Sequence, residues 1–279
     1  CLVGSEMCIR DRCQPFSRHQ KDKKDRSKHK DWKLLYQFGR LVDEVKPHIV
    51  SMENVPELEN EKVFSDFVGT LTRLGYNVTY KVVNAADYGV PQRRKRLLLL
   101  ASKKKKISFI QPTHQQPVTV REAIGNLPPI GAGENNAIDR LHITSSLSAL
   151  NLQRIQHSMP GGSWHDWPDN LVLNCHKKEK GHTYTSVYGR MCWEDVAPTI
   201  TTQFTGYGTG RFGHPEQDRA LTLREGAIIQ TFPEDYSFLP PNEKIIIKDV
   251  SRQIGNAVPP RLGAVSYTHL RAHETLANL

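Results

Sequence analysis

The feature that most constrains the fold is an alternation of helical and strand patterns between residues 31 and 101. Apolar residues recur at helical spacing over Leu34–Val45 and again over Val63–Leu74. Asp31 can cap the first helix, Pro47 can end it, and Gly75 can end the second. The predicted strands are three short apolar runs, His48–Met52, Val78–Val83 and Leu97–Ala101. Helices that alternate with buried strands predict an α/β sheet domain.

The pattern changes after the basic stretch Lys103–Lys106. From Gln111 to about Thr202 the chain is rich in Pro, Gly, Asn, His and Ser and lacks a sustained period, which predicts a smaller, loop-rich domain. Helical character resumes at Gln217, and the segment Ile245–Gly263 is expected to pack back on the sheet domain. Residues 1–12 and 265–279 share no period with their neighbours. We interpret both as non-native extensions that resemble translated sequencing-adapter read-through, around a fragment whose natural start is missing.

Charge and cysteine usage narrow the function. The chain carries 38 Lys and Arg against 29 Asp and Glu, a net charge of +9, which favours either a polyanionic partner or simply a well-solvated basic surface. No apolar run approaches the roughly 20 residues that span a bilayer, and no signal peptide is evident, so a cytoplasmic protein is expected. The five scattered cysteines lack CxxC spacing, which predicts neither a disulfide framework nor a metal site and leaves a reduced thiol available.

The first candidate for chemistry is Cys13, which opens the segment Cys13–Ser17 (CQPFS). A cysteine is most often a small buried hydrophobe, but one in a polar turn amid basic residues can act as a thiolate nucleophile. The following segment, Arg18–Lys30, holds seven Lys or Arg against two Asp. It is either a solvated loop or a lid that closes over a nucleic-acid backbone.

Two further motifs add an acid and a basic cluster. Glu53 follows a predicted buried strand, where a carboxyl group tends to keep its proton and can donate it, with Asn54 as an orienting partner. Its plainer reading is a surface or capping residue. In the run Gln92–Arg96 (QRRKR) alternation would place Arg94 and Arg96 on one strand face, where two guanidinium groups suit phosphate and carbonyl oxygens. The alternative is an edge strand protected by charge.

These three motifs, in this order, resemble the cytosine-5 DNA methyltransferase family. Three further segments resemble sequence motifs of the family: Tyr88–Pro91 (YGVP), Arg219–Pro233, and Gln253–Pro259 (QIGNAVP). The resemblance covers approximately Cys13 to Ala264. In the family a proline precedes the cysteine, whereas Arg12 does here. The family's Gly-rich cofactor loop, the acidic residue that grips the cofactor ribose and the strand leading into Cys13 have no evident counterpart, so this polypeptide alone is expected to bind the cofactor poorly.

The resemblance implies an incomplete Rossmann-like methyltransferase sheet domain with a smaller, loop-rich target-recognition domain. The implied boundaries are 13–110 for the catalytic domain, 111–215 for target recognition, and 216–264 for a return to the catalytic domain. The implied reaction is transfer of a methyl group from S-adenosylmethionine to C5 of a cytosine flipped out of duplex DNA.

The resemblance also implies roles for individual residues. Catalysis falls to Cys13, Glu53, Asn54, Arg94 and Arg96. Cofactor contacts fall to Gln14, Asn256, Ala257 and Val258, and DNA contacts to Ser17, Gln92 and Arg211. The segment Arg219–Pro233 is expected to be largely structural, since its apolar spacing also predicts a core helix.

The implied partners are double-stranded DNA and, in a bacterial restriction-modification system, a cognate endonuclease that acts on the same site. Two alternatives stay open. One is an RNA cytosine-5 methyltransferase with the same chemistry, and the other is a catalytically inactive DNA-binding fragment. The large recognition region favours duplex DNA, and the intact Cys13, Glu53 and Arg94 set disfavours an inactive protein.

Overall fold

The computed structural model describes residues 34–104 and 107–264, together with the backbone of two strands that precede them. Cys13, Gln14, Ser17, the cap at Asp31 and the basic segment Arg18–Lys30 lie outside the described residues. The helices are α1 Leu34–Val45, α2 Lys62–Arg73, α3 Val120–Ile124, α4 Ala149–Gln156, α5 Glu179–His182, α6 Leu223–Ile229 and α7 Ile247–Asn256. The strands are β1 Leu2–Val3, β2 Glu6–Arg10, β3 Ile49–Asn54, β4 Asn77–Asn84 and β5 Lys95–Ser102.

The described strands form one mixed sheet in the order β1-β2-β3-β5-β4. Strands β2 and β3 run parallel, while β5 runs antiparallel to both β3 and β4. In the parallel pair Arg10 lies opposite Glu53. Because parallel strands end at the same edge of a sheet, the chain leaves β2 and β3 at one edge.

Two amphipathic helices cover the apolar side of this sheet. The helix α1 buries Leu35, Phe38 and Val42, and Phe38 stacks on Phe67 of α2 with ring centroids 5.3 Å apart. Gly75 follows α2 with φ of +85°, a conformation that glycine adopts without a Cβ penalty. The predicted helices and strands between residues 34 and 102 are therefore confirmed.

The strand β2 differs from the sequence-based expectation. The segment 1–12 was expected to have no strand pattern, and no strand was expected ahead of Cys13. The structure places Glu6–Arg10 as a strand whose five residues pair with β3 from Ile49 to Glu53. The physical reason is that main-chain hydrogen bonds to the edge of β3 are available to any segment without proline, whatever its side-chain pattern.

The described residues divide into two compact units. One comprises those that fall within 1–88, 95–113 and 262–264, and the other comprises residues 89–94 and 114–261. The second unit is rich in loops: within 114–261 the described backbone contains five short α-helices, two 3-10 helices and only isolated β-bridges. Its apolar core joins α3, α6 and α7 through side chains such as Leu223, Val250 and Ile254.

Residues 216–261 belong to the second unit, whereas the sequence predicted their return to the sheet domain. The reason lies in packing. Helices α6 and α7 bury their apolar faces against Ile200 and Phe204 of the same unit. At Gly255 a Cβ would clash with the backbone of Thr201 and Thr202, so this glycine permits a close approach of α7 to that segment.

Candidate active site

The acid at the end of β3 is held by an arginine of the neighbouring strand. Glu53 pairs in register with Leu98 of β5, so Arg96, two residues earlier on that strand, is its diagonal neighbour on the same face. The Nε atom of Arg96 lies 2.8 Å from Oε1 of Glu53. The Glu53 side chain is 10% exposed and that of Arg96 is 16% exposed. This charge pair is neither fully buried nor freely solvated.

Asn54, the last residue of β3, was expected to orient Glu53, and that role stays a prediction. Its Oδ1 accepts a hydrogen bond of 2.8 Å from the backbone N–H of Val55. The residue is buried at the point where the chain turns from β3 toward Pro56. Arg96 is one side chain that lies against Glu53.

Arg94 and Arg96 do not share a strand face, which corrects the sequence-based expectation. Strand β5 begins at Lys95, so Arg94 precedes it and the alternation of a strand does not apply. Arg94 is buried, with Nη1 3.3 Å from the carbonyl oxygen of Ile200 and Nη2 3.5 Å from that of Ala257. Its guanidinium group therefore links two backbone segments of the second unit, at Ile200 and at Ala257, through hydrogen bonds.

Gln92 also lies in the interior rather than on a surface that could meet DNA. Its side chain is fully buried, and Nε2 donates to the Ile229 carbonyl at 3.0 Å and to Oε1 of Gln230 at 2.7 Å. Its Oε1 accepts from the backbone N–H of Ile200 at 3.2 Å. Because the Gln92 side chain is buried and bonded inside the protein, the prediction that it contacts DNA was wrong.

The segment from Arg219 to Pro233 contains a fully buried ion pair. Two guanidinium nitrogens of Arg219 bind the two oxygens of Glu225 at 2.7 and 2.8 Å, and both side chains are 1% exposed. Glu225 also forms a capping box with Thr222 at the start of α6. Burial alone would raise the pKa of Glu225, but the bonds and charge of Arg219 hold that pKa below its ordinary value. The contacts support the predicted structural role.

His214 lies beside this pair as a neutral imidazole. Its Nε2 is 3.7 Å from Oε1 of Glu225, and its Nδ1 accepts from the backbone N–H of Gln217 at 2.9 Å. Burial lowers the pKa of His214 to about 4, since removing the ring from water disfavours its charged form more than Glu225 favours it.

The predicted cofactor segment follows α7 directly. Asn256 is the last residue of that helix and its side chain is exposed. The next residue, Ala257, donates its N–H to the Ile254 carbonyl at 3.1 Å, while its own carbonyl accepts from Gln230 at 3.3 Å. An exposed amide on a firmly held backbone can bind the hydroxyl and amino groups of an adenosine-containing molecule, so these residues fit S-adenosylmethionine.

The second unit contains an aromatic stack that was not predicted from the sequence. Trp164 stacks on His165 at 3.9 Å and on His176 at 4.4 Å between ring centroids. Arg211, predicted to contact DNA, is half-buried and donates to the carbonyl oxygens of Gly161 and Gly162. Part of its hydrogen-bonding capacity is thus spent inside the protein, and its DNA contact stays a prediction.

Among the residues that the structure describes, no group of three or more His, Cys, Asp or Glu side chains is arranged to hold a metal ion. None of the helices in that part of the chain is long and apolar enough to cross a membrane.

The sequence analysis did not predict the contacts of Gln230 or the pairing of Arg219 with Glu225. The only signal in the sequence was that these polar residues stand within a helical apolar pattern.

Comparison with known proteins identifies the family. Residues 13–268 match the sequence model of the C-5 cytosine-specific DNA methylases. The chain is 52% identical over 258 residues to the Type II methylase M.HgiDII of Herpetosiphon aurantiacus, covering 91% of this chain and 72% of that protein. It is 36% identical to the Type II methyltransferase M1.HphI of Haemophilus parahaemolyticus, covering 82% of this chain and 58% of that protein. The chain therefore belongs to the C-5 cytosine-specific DNA methylase family, which confirms the predicted class of enzyme, a DNA cytosine-5 methyltransferase.

Solved structures support the fold. A DNA modification methyltransferase encoded within an Escherichia coli prophage superposes with a TM-score of 0.58 at 22% identity, covering 87% of this chain and 74% of that one. The Entamoeba histolytica methyltransferase EhMeth gives a TM-score of 0.57 at 16% identity, covering 95% of this chain and 78% of that one. The predicted α/β, Rossmann-like methyltransferase fold is confirmed.

Proposed function

We propose that the chain transfers a methyl group from S-adenosylmethionine to C5 of a cytosine that is flipped out of duplex DNA. The observation that carries this proposal is the pair of Glu53 and Arg96, 2.8 Å apart at the sheet edge where β2 and β3 both end. An acid held by a guanidinium group at that edge is suited to binding the polar side of a pyrimidine ring.

Covalent connectivity supports Cys13 as the partner of this acid. Arg10 is paired with Glu53, and Cys13 follows Arg10 by three residues. Three extended residues span at most about 11 Å, which bounds the separation of Cys13 from the end of β2.

The residues divide the chemistry as follows. C5 of cytosine is a poor nucleophile, and addition of the Cys13 thiolate to C6 makes it enamine-like by pushing the electrons of the C5–C6 double bond onto C5 and N3. Asn256, Ala257 and Val258, together with Gln14, would hold S-adenosylmethionine, which when bound would supply the electrophilic methyl group and leave as S-adenosylhomocysteine. After C5 is methylated, its proton leaves to a base, the C6–S bond breaks, and the ring double bond returns with Cys13 as thiolate.

Glu53 stabilises the added ring at N3. Without DNA, the Arg96 guanidinium group fixes the orientation of the Glu53 carboxyl group. Once a cytosine is bound, the protonated Glu53 carboxyl group donates its proton to N3 as negative charge develops on the ring, and it takes that proton back when the C6–S bond breaks. Arg96 is thus a positioning residue for Glu53, and Arg94 supports the backbone that leads into β5.

Duplex DNA as substrate agrees with the charge of +9 and with the methylases that the chain resembles. M.HgiDII and M1.HphI are both named as Type II enzymes, which supports a restriction-modification setting with a cognate endonuclease as a second partner. A cytoplasmic location follows from a DNA substrate in such a setting.

Because this chain is expected to bind S-adenosylmethionine poorly, the test is incorporation of a tritiated methyl group by the full chain at a saturating concentration of S-adenosylmethionine, into duplex DNA and, in parallel, into tRNA. We expect label in DNA alone, recovered as 5-methylcytosine after digestion to nucleosides. Cys13→Ala should abolish this label, while replacement of the exposed Cys175 by alanine should leave it unchanged. Label in tRNA alone, label retained by Cys13→Ala, or no label in either nucleic acid would overturn the proposal.

A further inference from the structure

Two buried glutamines join the loop before β5 to the predicted cofactor segment. Gln92 and Gln230 are separated by 138 positions in sequence, yet Nε2 of Gln92 lies 2.7 Å from Oε1 of Gln230. Both residues are 0% exposed. We call these two side chains the amide pair.

The amide pair uses every hydrogen-bonding group that it has. Both hydrogens of Gln230 point at backbone carbonyls, of Ile254 at 2.7 Å and of Ala257 at 3.3 Å. Both hydrogens of Gln92 are used as well, and its oxygen accepts from Ile200. Rotating either amide by half a turn would place oxygen against oxygen, so the pair has a single orientation.

The contacts tie together three segments that matter for the proposed reaction. These are the loop Gly89–Arg94 that leads into β5, the backbone at Ile200, and the turn from Ile254 to Ala257. A buried polar pair costs free energy unless it is fully satisfied, and an apolar pair would fill the same space without fixing these carbonyls.

A second connection closes the same region. Thr231, next to Gln230, has φ of +62°, an uncommon conformation for a β-branched residue. Its Oγ1 accepts from the backbone N–H of Arg261 at 3.2 Å, and Nη1 of Arg261 donates to the Gly89 carbonyl at 2.8 Å. Residues 230 and 231 thus hold the chain on both sides of Ala257 and Val258.

We propose that Gln230 is a positioning residue for cofactor binding: through Ile254 and Ala257 it sets the backbone that presents Asn256 and Val258. Through Gln92, the same side chain keeps that backbone in register with the loop that carries Arg94. This inference rests on the proposed assignment of Asn256, Ala257 and Val258 to the cofactor. It assigns Gln230 no contact with the reacting atoms.

The test replaces Gln230 by methionine, which preserves side-chain length and removes all three hydrogen bonds. We expect KM for S-adenosylmethionine to rise about 10-fold with kcat within about 3-fold, because the cofactor segment is displaced while Glu53 and Arg96 are not. In hydrogen exchange, the amides of Ala257 and Arg261 should lose at least 10-fold protection relative to those of α4.

Two controls separate positioning from a general loss of stability. Val250→Ala removes buried apolar volume from α7. It should lower the midpoint of thermal unfolding about as much as Gln230→Met does, but with KM for S-adenosylmethionine unchanged. Gln156→Met, on the exposed side of α4, should change nothing. If Gln230→Met and Val250→Ala raise KM equally, or if the Ala257 and Arg261 amides keep their protection, the inference is wrong. Failure of the unaltered chain to methylate DNA would instead overturn the proposed function, while the exchange experiment would still decide whether Gln230 holds this backbone.

Discussion

The molecule contains two carboxylate–guanidinium pairs that differ in how completely they are enclosed. Glu225 and Arg219 meet through two bonds at 2.7 and 2.8 Å, both side chains are 1% exposed, and Thr222 completes the set at the start of α6. Glu53 and Arg96 meet through one contact of 2.8 Å, and their side chains are 10% and 16% exposed.

This difference separates a structural pair from one that can do chemistry. The Glu225 carboxyl group has both oxygens committed to partners inside the protein, so it can stabilise the fold but not approach a substrate. The Glu53 carboxyl group is oriented by Arg96 at a sheet edge and stays partly accessible. Loss of Glu53 should therefore affect activity, and loss of Glu225 should affect stability.

The largest expected effect is on turnover. Glu53→Gln preserves size but cannot share a proton with N3 in the same way, so kcat should fall by up to about 10⁴-fold, which corresponds to about 5 kcal/mol of transition-state stabilisation. The midpoint of thermal unfolding should move little, because the partly exposed pair contributes little to stability. Steady-state methylation and calorimetry on the same preparation measure both. A variant that unfolds more readily but turns over normally would show that Glu53 is structural.

The second effect is on stability. Glu225→Gln leaves the Arg219 guanidinium buried without a counter-charge and should lower the free energy of unfolding by about 4 kcal/mol. Urea denaturation followed by fluorescence checks this value. The matched control is the double variant Arg219→Met with Glu225→Leu, which removes both charges and should lose much less. Equal losses in the two variants would mean that packing, rather than charge, dominates at this site.

These two pairs also show what the sequence could and could not predict. The periods of α1 and α2 and the apolar runs of β3 and β5 are local patterns, so these elements were predicted closely. The prediction that Arg94 shares a strand face with Arg96 was wrong. The partners of Arg94, Ile200 and Ala257, lie more than 100 positions away in sequence, and no local pattern predicts them.

The outcome at the site was mixed for the same reason. Glu53 and Arg96 were singled out separately from their motifs, but their pairing depends on the register of β3 and β5, which a single sequence does not specify. Gln92 was assigned to DNA from the family resemblance. Its burial depends on Gln230, which could not be paired with it from sequence alone.

The third expected effect depends on pH and again distinguishes the two regions. The pKa of His214, beside Glu225, is about 4 in the folded protein against 6.5 for an ordinary histidine. Below pH 6.5 the unfolded chain therefore binds more protons than the folded one, and the free energy of unfolding falls as pH falls toward 4. The expected loss is about 3 kcal/mol over that window. Denaturant titrations at pH 7, 5.5 and 4 measure it, and His214→Gln should remove most of the slope. If the free energy of unfolding of His214→Gln falls with pH as steeply as that of the unaltered chain, protonation of His214 is not the cause of the loss.

The smallest expected effect concerns the approach of α7 to Thr201. Gly255→Ala would place a methyl group against the Thr201 and Thr202 backbone, and the resulting shift should cost about 2 kcal/mol. Gly69→Ala on α2, where no atom lies within 4 Å of the added carbon, is the matched control and should be neutral or stabilising. The comparison is made by thermal unfolding, and equal effects would show that α7 can relax away from Thr201.

The most direct test of the central claim is whether Cys13 bonds covalently to C6 of cytosine beside Glu53. A cytosine that carries fluorine in place of the C5 hydrogen should trap that bond. After methylation there is then no proton at C5 for a base to remove, so the C6–S bond cannot break. The chain should form a stable complex with duplex DNA that contains this base and S-adenosylmethionine, and peptide mass mapping should locate the link at Cys13. Glu53→Gln should form it far more slowly. A link at Cys175 or Cys192, or 5-methylcytosine production without any covalent complex, would contradict the account.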